Sequence, residues 1–246
     1  MSDDLQNVYD DPEFFAGYSQ LERFGSNWGR AMEHGDFLSL LPKVAGLRAL
    51  DLGCGGGQLT YQLAEMGARQ VIGVDLSERM LEIARERRSH PNVLYVRGSI
   101  EEADFGEDRF DLVVSSLAFH YVEDYAGLIR RIAGWLSAGG SLVFSTEHPI
   151  FTSRTVGGGW TEDMAWKIDR YSVEGFREHH WFVDVRRYHR TLATLVNGLI
   201  DAGLTIERII EPTPNEDLLR RIPEEAAEEV LRPMFILLSA RKGSRP

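Results

Sequence analysis

The chain has 246 residues, 43% of them hydrophobic, enough for a single domain over 1–246 with a cap at 1–35 and an insertion at 150–190. A net charge of −11 and a pI near 5.1 argue against nucleic acid and anionic membranes as partners, because both repel an acidic surface. No apolar run approaches the roughly eighteen residues of a membrane span, the acidic start Met1-Ser2-Asp3-Asp4 lacks a secretory apolar core, and the lone Cys54 excludes an internal disulfide and suits a reducing cytoplasm.

Residues 1–35 mix Tyr9, Phe14, Phe15, Tyr18, Phe24 and Trp28 with Asp10, Asp11, Pro12 and Gly17. That mixture predicts a cap, with Pro12 opening a short helix. Phe14 and Phe15 suit core packing, whereas the Tyr18 phenol can bring its hydroxyl to a ligand. A short helix is expected over 36–41, with Asp36 as N-cap and Pro42 as stop. Strand one covers 48–52 and runs into a glycine loop. The next helix starts at Gln58, carries Leu59, Leu63 and Met66 at helical spacing and closes at Gly67. Strand two covers 70–75 and ends in an acid; Ser77 then caps a helix that buries Met80, Leu81 and Ala84. Strands three and four are expected over 92–96 and 111–116, the latter apolar enough for a parallel sheet covered on both faces. A helix with Leu128, Ile129, Ile132, Trp135 and Leu136 ends at Gly139-Gly140, and strand five covers 141–146.

After Glu147-His148-Pro149 the pattern breaks. The insertion that follows reads as a lid or substrate wall, extended over 181–185. A helix from 190 closes at Gly203, strand six covers 204–210, an acidic helix covers 224–229 and strand seven covers 234–240. The alternation predicts an α/β fold: a Rossmann-like, doubly wound seven-stranded sheet, mostly parallel with an antiparallel last strand. Ligands of such folds bind at the carboxyl ends of the strands.

The glycine loop narrows the ligand. Glycines let a backbone turn sharply and approach a ligand closely, and the helix start beyond offers unpaired N–H groups. The dinucleotide fingerprint is G-x-G-x-x-G; Gly53 and Gly55 match it, but Gln58 stands at the third glycine. Asp51 just before the loop would repel a pyrophosphate and attract an ammonium group. Asp75 falls where nucleoside-binding α/β folds place an acid on the ribose hydroxyls. A ligand with an amino-acid end and a nucleoside end satisfies both acids, and S-adenosylmethionine (SAM) is the obvious one. Cys54 within the loop reads as structural rather than reactive.

At this point the motifs resemble class I SAM-dependent methyltransferases. Asp51-Leu52-Gly53-Cys54-Gly55-Gly56-Gly57 looks like their first motif, and Val74-Asp75-Leu76-Ser77 like the acidic second one. The stretches 110–116 and 136–142 look like the fourth strand and the turn before the fifth. The chain is similar to the small-molecule branch that includes ubiquinone and menaquinone biosynthesis enzymes. The resemblance implies that Gly53, Gly55 and Gly57, with Cys54 in the same loop, line the methionine part of SAM, with Asp51 near its ammonium. It implies that Asp75 binds the ribose, that Leu76 and Met80 flank the adenine, and that Ser99 or the Ile100 backbone replaces a commoner acid at the adenine amino group. Leu117 would lie beside the methionine moiety, and Tyr18 would close over the ligand from the cap.

Methyl transfer is an in-line displacement, so the protein mainly aligns the reactants and keeps them dry. Where the acceptor must lose a proton, His120 is the leading base and His148 the second, each weighed against an orienting or structural role. His189 is a third candidate. The histidines have no metal-ligand spacing, so no metal is expected. The expected partner is a small, flat or apolar acceptor, and a homodimer stays open. Two other classes remain at this stage: an NAD-dependent oxidoreductase and a SAM-binding protein without methyl transfer.

Overall fold

The computed structural model describes residues 7–11, 28–153, 161, 165–180, 184–214, 216–221 and 230–244. In chain order its elements are α1 (Trp28–Leu40), β1 (Arg48–Leu52), α2 (Gln58–Glu65), β2 (Gln70–Asp75), α3 (Glu78–Arg87), β3 (Val93–Arg97), β4 (Phe110–Ser116), α4 (Tyr125–Trp135), β5 (Leu136–Glu147), α5 (Pro149–Thr152), β6 (Gly175–His180), β7 (Asp184–His189), α6 (Leu192–Asp201), β8 (Leu204–Ile210), α7 (Glu216–Arg221) and β9 (Phe235–Lys242). Short 3-10 turns cover Val8–Asp10 and Phe119–Tyr121. No helix among the described residues is long and apolar enough to cross a membrane.

Seven strands form one sheet in the order β3-β2-β1-β4-β5-β9-β8, and β6 pairs with β7 in a separate hairpin. The pairings are parallel except for those of β9, which runs antiparallel to β5 and β8. The expected sheet, with its antiparallel last strand, is therefore present. Strand alternation sorts the core into two layers. Leu50, Leu52 and Val113 pack with Leu128 and Ile132 of α4 and with Leu195 and Leu199 of α6. Ala49, Leu112 and Val114 pack with Phe37 of α1 and Leu63 of α2. Each fully buried leucine contributes roughly 1.5–3 kcal/mol by leaving water. Chain order reverses between β1 and β4, which opens a crevice at the carboxyl ends of these central strands.

Three expectations change. The helix expected over 36–41 begins at Trp28, and Asp36 lies inside it. Glu33 and Phe37, four residues apart, are both buried, so one face runs straight through Gly35. Strand five starts at Leu136, ahead of the glycine pair. Register shifts between Phe110 and Leu112 as they pair with β5, and a Cβ on Gly140 would lie 2.9 Å from the Ser137 carbonyl oxygen. The glycines thus mark an irregular strand rather than a helix end. The hairpin of β6 and β7 was not expected over 175–180, because charged side chains obscure its alternation. The acidic helix over 224–229 lies outside the described residues.

Two local features generate tests. Gly57 enters α2 at φ 80, and a Cβ there would lie 2.4 Å from Tyr95 Oη and 2.9 Å from Ala84 Cβ. Gly57→Ala is expected to cost about 2 kcal/mol, read as a lower urea midpoint. At the opposite end of the sheet Arg48 grips Asp111 with two side-chain bonds, Nη2 to Oδ1 at 2.8 Å and Nε to Oδ2 at 3.1 Å. That grip holds the Asp111 carboxyl at about 2. A lowered folded-state value adds stability above the unfolded carboxyl value of 3.8 and loses it as pH falls toward about 2. Asp111→Asn should therefore cost about 1 kcal/mol at neutral pH after solvent screening. Urea melts should show that deficit shrinking below pH ~4.

Candidate active site

The crevice holds a cavity of about 260 Å³. One water needs roughly 10–15 Å³ by the same measure, so the space suits an organic molecule. One wall is the glycine loop with Gln58 and Leu59. A second comes from Asp75, Leu76, Ser77 and Met80, and a third from Ser99, Ile100 and Glu101. Ser116 to Ala118, Tyr121 and Val122 follow β4, while Asn7, Tyr9, Glu33, His34 and Phe37 close it from the N-terminal side.

The loop owes its shape to missing Cβ atoms. Gly53 and Gly55 have φ 74 and 51. A Cβ on Gly53 would fall 2.4 Å from that of Ala118, and one on Gly55 would meet Met80 Cε at 3.3 Å. Glycine at these positions lets the loop lie close to the turn after β4 and to α3. Leu117, in that turn, holds φ 53 without being glycine, a conformation that needs surrounding support. Its amide donates to the Ser145 carbonyl at 3.1 Å.

Two carboxylates sit at neighbouring strand ends. Asp51 is 1% exposed, and its Oδ2 accepts from Thr60 Oγ1 at 2.6 Å. Burial pushes its carboxyl up to about 7; the Thr60 hydrogen bond opposes this and the Asp75 charge adds to it. Asp75 Oδ2 accepts from the Gly55 amide at 2.7 Å and Oδ1 from the Ser77 amide at 2.9 Å. Its carboxyl is also raised, first by burial. Cys54 is buried, and that burial, with the two nearby carboxylates, pushes its thiol well above its ordinary value, which suits an inert structural thiol. The N-terminal segment is clasped here too. Asp10 Oδ1 accepts from Ser77 Oγ at 2.5 Å and from the Arg79 amide at 3.2 Å.

Most residues expected at the ligand do line the cavity: Asp51, Gly53, Cys54, Gly55, Asp75, Leu76, Met80, Ser99, Ile100 and Leu117. Gly57 does not; it turns toward Tyr95 and Ala84, and Gly56 takes the wall position. Tyr18 lies outside the described residues. Tyr9 is the described phenol that the N-terminal segment brings to the cavity, its hydroxyl 3.3 Å from that of Tyr121. Sequence reasoning placed Tyr9 only among the aromatics of the cap and missed Glu33, His34 and Tyr121 as cavity residues.

Neither His120 nor His148 lines the cavity. His120 is buried, with Nδ1 3.5 Å from Thr146 Oγ1 and its ring 4.2 Å from that of Tyr121. His148 caps α5: Nδ1 accepts from the Ile150 amide at 3.0 Å, so the proton sits on Nε2 and is donated to Glu211 Oε1 at 2.9 Å. A strand-end position fixes where the backbone lies, not where the ring points. The His148-Pro149 pair was a readable start signal for α5. His189 is also engaged at both nitrogens, with Thr152 Oγ1 at 2.7 Å and the Tyr171 carbonyl at 2.8 Å.

Comparison with known proteins agrees with this geometry. Residues 50–144 match the family model of a methyltransferase domain. An S-adenosylmethionine-dependent methyltransferase of Mesorhizobium loti is 44% identical and superposes with a TM-score of 0.81, over 86% of this chain and 98% of that one. A Listeria monocytogenes protein assigned to the same enzymes is 37% identical with a TM-score of 0.83, over 88% of this chain and 99% of that one. A ubiquinone biosynthesis O-methyltransferase of Alkalilimnicola ehrlichii is 38% identical over 106 residues, 42% of each chain. The conserved part of that last match is thus under half of either protein. Together with the glycine loop and the strand-end carboxylates, these similarities show that the chain belongs to the SAM-dependent methyltransferases.

Proposed function

We propose that this methyltransferase modifies a small, flat or apolar molecule in the cavity between the glycine loop and the N-terminal segment. The observation that carries the reading is a cavity with carboxylates at two neighbouring strand ends and apolar side chains at its nucleoside wall. The residues present fit SAM. Glycines at 53 and 55 let the loop pack close to Ala118 and Met80, and acids stand where a ribose and an ammonium would need acceptors. When bound, SAM would supply an electrophilic, sulfonium-linked methyl group open to in-line displacement, with S-adenosylhomocysteine as the leaving group.

The chain's own part is binding, orientation and exclusion of water. Asp75 takes the ribose hydroxyls: each of its oxygens uses one lone pair on a backbone amide and keeps another. Leu76, Met80 and Ile100 flank the adenine, with Ser99 at its edge. Asp51 meets the ammonium, with Gly53, Cys54, Gly55 and Leu117 beside the methionine chain. Tyr9 and Tyr121 give an acceptor aromatic edges and two hydroxyls. His120 acts through the adjoining Tyr121 ring, as an orienting group. A reducing cytoplasm suits the single buried thiol.

Release of S-adenosylhomocysteine (SAH) from SAM in the presence of a panel of small phenols, quinols and amines tests the transfer itself. Binding of SAM without release in any mixture would instead favour a sensor. Asp75→Ala is expected to weaken SAM binding tenfold or more, about 1.4 kcal/mol, in calorimetry; unchanged affinity removes the ribose role. The raised Asp51 carboxyl adds a pH test. A cationic group binds the ionised form, so affinity should rise as pH rises through about 7. SAH should bind about tenfold more tightly at pH 8 than at pH 6. Asp51→Asn should abolish that slope.

A further inference from the structure

We infer that Arg190, between β7 and α6, is a positioning residue for the cavity wall that follows β4. The inference rests on SAM being the ligand, and it adds a residue that does not itself line the cavity. Arg190 is 8% exposed. Among the described residues its hydrogen bonds all go to main-chain carbonyls. Nη1 donates to that of Phe119 at 3.5 Å and that of Tyr188 at 3.3 Å, and Nη2 donates to that of Val122 and, at 2.9 Å, to that of Glu123. The guanidinium carbon lies 5.3 Å from the centre of the Tyr125 ring and 5.8 Å from that of the Tyr188 ring, faces that favour a cation. The backbone of Arg190 is fixed on both sides, because His189 ends β7 and Thr191 caps α6.

Three of the four carbonyls belong to one short segment, the 3-10 turn Phe119–Tyr121 and the two residues after it. Carbonyls at the C-terminal end of a helical turn carry partial negative charge and attract a cation. The flat fork of a guanidinium reaches several of them at once, whereas an ammonium is a compact point charge. The segment is held from another direction as well. The Glu123 amide donates to Glu101 Oε1 at 2.8 Å, and Glu101 lines the third wall. Tyr188 Oη donates to Glu123 Oε2 at 3.2 Å. The end of the insertion hairpin therefore clamps the segment that bridges two walls.

The clamp bears on Leu117, where the segment leaves β4 with φ 53. A non-glycine residue keeps that conformation only where its surroundings over-determine it. On one side the support is Ser145, whose carbonyl takes the Leu117 amide at 3.1 Å. On the other it is the turn itself, in which the Tyr121 amide donates to the Ala118 carbonyl at 3.1 Å and which Arg190 closes. Leu117, Ala118, Tyr121 and Val122 all line the cavity. Loosening the segment thus shifts the wall proposed for the methionine chain and the acceptor. The nucleoside wall of Asp75, Leu76 and Met80 stands on β2, α3 and the turn between them and is spared.

Arg190→Lys keeps the charge and loses the fork. Calorimetry with two probes separates a positioned wall from general packing: SAH carries the amino-acid end, whereas 5′-methylthioadenosine has the same nucleoside and sulfur without it. The expected result is SAH binding weakened about fivefold and methylthioadenosine binding unchanged within about twofold. Amide hydrogen exchange over residues 117–123 should quicken about tenfold, with that of β2 unchanged. Tyr188→Leu removes one ring from the guanidinium and the hydrogen bond to Glu123; it should weaken SAH about threefold and again spare the shorter probe. Unchanged SAH affinity in Arg190→Lys overturns the inference. Equal loss for both probes also overturns it, by assigning Arg190 to the stability of the fold. Should the lysine variant not fold, Tyr188→Leu decides by the same comparison. Failure of the wild-type protein to bind either probe is a separate result and overturns the SAM reading itself.

Discussion

The site depends on placing Asp51 under cover. A carboxylate in a parallel strand between two other strands has neighbours on every side, and here its partner is a hydroxyl from the following helix. Thr60 can reach it only because β2 carries Gly73 beside it: a Cβ there would stand 2.9 Å from Thr60 Oγ1 and 3.0 Å from Cys54 Sγ. One missing side chain in β2 therefore lets α2 settle onto the sheet. The glycine loop between β1 and α2 is then held near Asp75, whose carboxylate takes the Gly55 amide. Strand spacing, helix position and loop shape are linked through these contacts.

The central sheet was legible because its strands are short apolar runs bounded by glycine or acid, and parallel strands covered on both faces need such runs. The glycine loop was legible for a different reason: glycine at fixed offsets reports a backbone that must come close to something. Side-chain direction was not legible. His120 and His148 lie at strand ends as expected, yet one ring packs against Tyr121 and Thr146 and the other caps a helix. The same limit explains Gly57. It belongs to the glycine run, but its φ directs the missing Cβ toward Tyr95 rather than toward the cavity.

The N-terminal contribution was hidden because it is assembled across the chain. Asp10 caps the start of α3 from about seventy residues away in sequence, beside the natural cap Ser77. The tie fastens Asn7 and Tyr9 onto the rim of the cavity. Glu33 reaches the same cavity from α1 through Ser116. Their contacts have sequence separations of 67 and 83, beyond any periodicity. The hairpin of β6 and β7 is a similar case. It is fixed to the sheet through the buried ion pair of Arg187 with Glu147 at the end of β5 and through His189, which meets Thr152 of α5.

Acidity at this cavity is local in origin and does not follow from the net charge of the whole chain. Asp51 has its carboxyl near neutrality because it is buried, so a large part of it is protonated at neutral pH. Protonation lowers the cost of keeping it under cover before a ligand arrives. Entry of an ammonium, as proposed, would reverse that balance, since the charged carboxylate would then have a charged partner and the proton would leave. Asp75 differs in having two backbone amides on its oxygens, donors that oppose the rise caused by burial and keep the group organised as an acceptor. Two acids of the same type on adjacent strands are therefore suited to different tasks. Under the proposed reading, one would receive a charge by losing a proton, and the other would present an acceptor to neutral hydroxyls. At Asp51 the Thr60 hydroxyl and amide oppose the rise caused by burial, and at Asp75 the Ser77, Gly55 and Leu76 amides do so.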